Sequence, residues 1–145
     1  MAQIPFTLRE LQRAWRALRS ASSQLPRTNA QRLLLVYSVE CGLKAMWLKN
    51  ESRTLFVAAD IARTGHDLNE VIKQLRMGAV LPTSFDLSDA KDEKKNPVTR
   101  RHFRLDTLHQ VWRYGGELAN PPMDDAVMEE KLEAVQRLIE KELSS

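Results

Sequence analysis

Four polar side chains in the last third of the chain have the types and the spacing of a working site. His102, Asp106, His109 and Arg113 follow one another at i, i+4, i+7 and i+11, the rhythm that sets side chains along one strip of a helix. The strip lies beside the apolar positions Leu105, Leu108, Val111 and Trp112. A histidine at the edge of a packed face is partly desolvated, which moves its titration across neutrality. Imidazoles would then handle protons, and the guanidinium would hold an anion. The competing reading is an ordinary solvated helix face, and the spacing alone leaves both open.

Two other places carry charge where it has consequences. Glu40 and Lys44 interrupt the most apolar stretch of the chain at i, i+4, with the acid on the N-terminal side, the favourable orientation for an ion pair. If this stretch is buried all round, Glu40 needs a cation or donor, and Lys44, His66 and Arg113 are the candidates. Otherwise Glu40 reaches the rim of the fold. His66 follows Gly65 and precedes Asp67, which reads as a helix cap, so its ring would stand where backbone amides favour anions. A hydrogen bond to a neighbouring loop is the plainer alternative. The sequence shows no Gly-rich phosphate loop, no His-x-x-x-His or Cys-x-x-Cys spacing and no nucleophile elbow, so neither a metal nor a cofactor is expected.

These residues must be positioned by helices. Thr7 to Glu10 reads as a capping box opening a first helix to about Ser22, with Leu8, Leu11, Trp15 and Leu18 on one arc and Arg9, Arg13 and Arg16 a quarter-turn away. After Pro26, Thr28 or Asn29 caps a second helix reaching Asn50, apolar on nearly every side and therefore central. A third helix is predicted over about Thr54 to Ala62, ending at Gly65, and Asp67 caps a short fourth through Leu75. Residues 78–98 hold Pro82, Pro97 and the charged run 89–95 without periodicity, and read as a long loop, expected to be mobile. A helix from about Thr99 stops at Gly115-Gly116, and Asp124 or Asp125 caps a last one with Met128, Leu132, Val135 and Ile139 in a single stripe. No strand-like alternation of useful length is present. The expected fold class is all-α, an up-and-down bundle of about five helices forming one domain over residues 1–145.

Composition fits that reading. The chain has 145 residues, 43% hydrophobic and 28% charged, with 5 glycines, enough for one core without staples. A net charge of +3 permits contact with polyanions but is short of a dedicated duplex binder. The single cysteine, Cys41, excludes disulfide and Cys-based zinc frameworks and suits a reducing compartment. The start of the chain lacks the pattern of a secretory signal, and the apolar stretch 33–48 is too short and too charged for a membrane span. A soluble, cytoplasmic protein without membrane contact is expected.

Three segments taken together resemble the landmarks of HEPN domains: Tyr37-Ser38-Val39-Glu40-Cys41-Gly42-Leu43-Lys44-Ala45, then Gly65-His66-Asp67-Leu68, then His109-Gln110-Val111-Trp112-Arg113-Tyr114. The order and spacing fit, and the resemblance spans roughly residues 29–142. It implies a helical protein that dimerises and works near RNA or nucleotides, in defence or toxin–antitoxin systems, with a cognate protein partner as a further possibility. Some members are metal-independent endoribonucleases with an Arg, four to six residues, then His, a spacing met here by Arg104 and His109. Active members carry a polar residue after that Arg, whereas Leu105 stands here. On one ideal helix Arg104 and His109 would also lie about 140° apart, so convergence would need a second copy. The Arg113-Tyr114 pair resembles a branch without nuclease activity. The resemblance therefore implies a binding protein presenting Glu40, Lys44, His66, Asp67, Asp106, His109, Arg113 and Tyr114 around one polar pocket, with an endoribonuclease or a purely structural docking protein as the alternatives.

Overall fold

The computed structural model describes residues 4–64, 67–78, 81–98, 101–119 and 124–144. The chain is mostly helical. Thr7 opens α1 (Leu8–Ala21) with a complete capping box, its hydroxyl accepting from the Glu10 amide while Glu10 accepts from the Thr7 amide. Thr28 and Gln31 repeat the device at α2 (Asn29–Asn50), Asp67 caps α4 (Leu68–Gln74) after the short α3 (Ala58–Thr64), and Asp124 caps α6 (Asp125–Leu143). Each cap satisfies amides that a helix start leaves without partners.

Helix α2 is the centre, contacting α1, α4, α5 (Leu108–Arg113) and α6. Leu35, Val39, Leu43 and Ala45 are fully buried along it. The α6 stripe of Met128, Leu132, Val135 and Ile139 closes the core. Chain direction follows from the contacts at the helix ends. The amide of Leu8 donates to the Thr54 carbonyl at 2.9 Å, and β1 (Phe6–Thr7) pairs antiparallel with β2 (Leu55–Phe56), so α1 starts where α2 ends. Arg32 near the start of α2 bonds Glu129 near the start of α6, and Lys49 at the end of α2 donates to the Glu142 carbonyl at the end of α6. Helices α2 and α6 are thus parallel. The expected up-and-down order is corrected on this point, because parallel helices need a long crossover, and residues 51–124 supply it.

A buried polar chain fixes the register of the three long helices. The Trp15 indole donates to Gln136 Oε1 at 2.8 Å, the Gln136 amide donates to Ser38 Oγ at 2.8 Å, and Ser38 Oγ donates to the Trp15 carbonyl at 3.1 Å. Ser38 and Gln136 are fully buried, and among the described residues no buried side-chain nitrogen or oxygen lacks a partner, so the network stiffens the core instead of weakening it. Gly42 lies against the same contact: a Cβ there would come within 2.8 Å of both Trp15 and Ile139.

Three parts of the crossover differ from the sequence reading. Residues 78–98, expected to lack secondary structure, hold β3 (Ser84–Asp86), β4 (Ala90–Lys91) and β5 (Pro97–Val98). The helix expected from about Thr99 is instead β6 (His102–Arg104), a 3-10 turn (Leu105–Thr107) and only then α5; Thr99 itself lies outside the described residues. Periodic burial begins at Leu105, and nothing in 102–104 is buried, so those residues pair with β3. The third helix likewise yields its first residues to β2. The sheets are small antiparallel pairs, β1 with β2, β3 with β6 and β4 with β5, so the fold is mostly helical and not all-α. The layer is tied to α4 by Asn69, whose side chain exchanges two hydrogen bonds with the backbone of Leu81 at 2.7 and 2.9 Å, as a strand would.

A clamp between Arg53 and Asp60 holds the entry to the crossover. The guanidinium meets the nearly buried Asp60 carboxylate bidentately at 2.7 and 2.6 Å, and the Val57 amide donates to it at 2.8 Å. The bonds from Arg53, then that from Val57, hold the carboxyl below its ordinary value of 3.8, against the effect of burial. A depressed folded value stabilises fully above the unfolded one and is lost as pH falls through the folded value. Asp60→Asn is therefore expected to lower stability at neutral pH by more than it does in acid. Urea midpoints of both proteins at descending pH check this, and a gap that stays constant counts against it.

Candidate functional site

One cavity of about 220 Å³ is lined by Val36, Tyr37 and Glu40 from α2, Leu68 from α4, Leu105 and Asp106 from the 3-10 turn, and His109 and Arg113 from α5. The packing of α5 on α2 creates it. Leu105, Leu108, Val111 and Trp112 are buried, which turns Asp106, His109 and Arg113 toward the edge of that contact. On α2 the spacing of Val36, Tyr37 and Glu40 sets them on the facing side.

Arg113 donates to the Tyr37 hydroxyl. That bond, and then the one to Tyr114, favours the charged guanidinium and raises its pKa further, so a fixed cation stands at the mouth. Glu40 accepts from Lys44 Nζ at 2.9 Å, as its i, i+4 spacing predicts, with both side chains partly exposed. The Lys44 ammonium also sits 5.2 Å from the centre of the Phe56 ring; it supports Glu40 from behind and does not line the cavity.

The structure unites Glu40, Asp106, His109 and Arg113 and leaves other expected residues out. His102 stands on β6 across from Asp86, its ring nitrogen 2.6 Å from that carboxylate, so the four-residue strip does not exist as one helix face. Arg104 is exposed on β6 with its backbone in register with Ser84. It is not on a helix with His109, and only His109 lines the cavity. Asp67 is spent capping α4, accepting from the Asn69 amide at 3.0 Å. Tyr114 is the C-terminal cap of α5, 77% exposed. His66 lies outside the described residues. Tyr37 was legible only as part of a family landmark, yet its place three residues before Glu40 on an apolar helix is the signal that assigns it to the same face.

Burial, reinforced by the Glu40 charge, pushes the thiol of Cys41, next to Glu40, up to about 11, which disfavours the thiolate at neutral pH. No group of three or more His, Cys, Asp or Glu that could hold a metal ion occurs among the described residues. No helix among them is long and apolar enough to cross a membrane. Comparison with family models, curated proteins and solved structures returned no match to this chain.

Proposed function

We propose that the chain is a HEPN-like, dimeric RNA-binding component of a defence or toxin–antitoxin type system, and that its cavity receives the last nucleotide of an RNA strand. The observation that supports this reading is the company Arg113 keeps: a fixed cation, two carboxylates and an imidazole over an apolar wall of Val36, Leu68 and Leu105. A nucleotide end presents a phosphate, sugar hydroxyls and a flat apolar base, and those three features match a cation, hydrogen-bond acceptors and an apolar wall in turn.

Size and charge narrow the ligand. The 220 Å³ cavity is smaller than the roughly 300–1,000 Å³ of a site that encloses a whole small molecule, so one terminal residue enters and the strand remains outside. Lys44 neutralises Glu40, and Asp106 offsets Arg113, which leaves no surplus positive charge for a polyphosphate. The reading therefore favours a 3′-terminal nucleoside with its diol toward the carboxylates and its bridging phosphate at Arg113. Arg104 stands apart from the cavity that holds His109, which supports binding over metal-independent cleavage.

The test is fluorescence anisotropy of short RNA and DNA oligonucleotides with wild type and Arg113→Gln, with light scattering to read the oligomeric state and an RNA cleavage assay in EDTA alongside. RNA should bind more tightly than DNA, and loss of the exposed guanidinium should weaken it about tenfold or more, the scale of a charged hydrogen bond. Equal binding of both nucleic acids by both proteins would remove the proposed site. Cutting in EDTA that disappears in His109→Ala would replace the binding role with the nuclease.

A further inference from the structure

A second, larger cavity of about 470 Å³ opens at the other end of α2. Its walls are Met46, Lys49 and Asn50 from the end of α2, residues 75–78 after α4, and Leu138, Lys141 and Glu142 from the end of α6. The parallel run of α2 and α6 makes it, by bringing the two C-terminal ends together beside the exit of α4. We infer that this cavity is a binding site for a small amphipathic anion, one carboxylate or phosphate head on an aliphatic or aromatic body.

Three observations carry the inference. The volume lies within the range of sites that enclose a small molecule, unlike the first cavity. Its apolar part comes from Met46, Leu75, Met77 and Leu138, and paired methionines adapt to varied hydrophobic bodies. Its charged part is Lys49, Arg76 and Lys141 against Glu142, a surplus of two positive charges where the first cavity has none. Lys49 is held in place, donating to the Glu142 carbonyl at 2.7 Å.

Arg76 supplies the test. Helix α4 ends in a Schellman motif, with the Arg76 amide bonded to the Lys73 carbonyl and the Met77 amide to that of Ile72. The residue at this place takes left-handed backbone, and Arg76 has φ +53. Glycine is the residue that fits such a position without strain. An arginine there gives up some stability, as Ser52 does at the matching place after α2 with φ +55, and it sets a guanidinium at the cavity wall.

That conflict makes the site testable without unfolding the protein. Arg76→Gly should keep or raise the urea midpoint while weakening the ligand, a combination that a structural role for the arginine does not produce. Gly78 supplies a second handle: it lines the cavity and a Cβ there meets nothing within 4 Å, so a side chain can start there without a clash, and the ring of Gly78→Trp is expected to obstruct the cavity. The experiment is a titration of the isotopically labelled full chain with decanoate, and with decanol as the neutral molecule of the same tail, read by amide shifts. The expected result is saturable decanoate shifts centred on residues 46–50, 75–78 and 138–142, at least fivefold weaker in Arg76→Gly and Lys141→Gln and absent in Gly78→Trp. Decanol binding as tightly as decanoate, shifts centred elsewhere, or affinity unchanged in the variants would each overturn the site.

Discussion

Gly42→Leu should cost the fold about 3 kcal/mol or more, at the upper end of what overpacking a core does. In an open helix the loss of a glycine is a gain, about 1 kcal/mol for alanine. Here the added Cβ would lie 2.8 Å from Trp15 Cδ1 and 2.8 Å from Ile139 Cγ2. Neither neighbour can move aside easily. The Trp15 ring is pinned by its bond to Gln136, and the Ile139 side chain is fully buried. Alanine is therefore expected to lose about 1–2 kcal/mol despite its better helix propensity, and leucine more. Urea unfolding of the pair gives the answer; an alanine variant more stable than wild type would show that α1, α2 and α6 are not in tight contact at this point.

Glu129→Leu should be as damaging for a different reason. Glu129 accepts from Arg27 at 3.1 Å and from Arg32 at 2.9 Å, and Arg27 also reaches Glu133 and the Ser22 carbonyl. The Arg27 side chain is only 6% exposed. Removing the shared carboxylate takes one charged hydrogen bond from each arginine, about 1.5–3 kcal/mol apiece, while Arg27 keeps Glu133 and Arg32 keeps Asp125. Glu129→Gln keeps the shape and one acceptor, so its loss should be smaller. Added salt should narrow the difference little, because buried pairs are poorly screened. A leucine variant that loses less than about 1 kcal/mol, the scale of a surface ion pair, would show that water already solvates Arg27.

The helices were legible because their caps and stripes are local signals. Thr7, Thr28, Asp67 and Asp124 each announce a start within four residues, and the α6 stripe from Met128 to Ile139 names its buried face without reference to anything else. The strands were not, since two or three residues leave no alternation to read, and their pairing depends on partners up to 50 positions away, as at Phe6 and Phe56. The same limit governs the site. Asp106, His109 and Arg113 keep phase with Leu105 and could be grouped from spacing; His102 lies before the first buried position and was grouped with them wrongly. Tyr37 and the second cavity depend on which helix ends meet, and that is set by the parallel run of α2 and α6, a tertiary choice with no local mark.

The buried indoles have a consequence for how this protein can be watched. Its 3 tryptophans occupy different junctions: Trp15 bonds Gln136 between α1 and α6, Trp112 bonds Asp125 between α5 and α6, and Trp47 stands edge-on to Phe56, 6.0 Å between ring centres, where α2 meets the small sheet. All are shielded from water. Each is thus an intrinsic fluorophore with its own address, and variants retaining one indole apiece would report by emission wavelength and quencher access which junction opens first when the chain is heated, titrated or given a ligand.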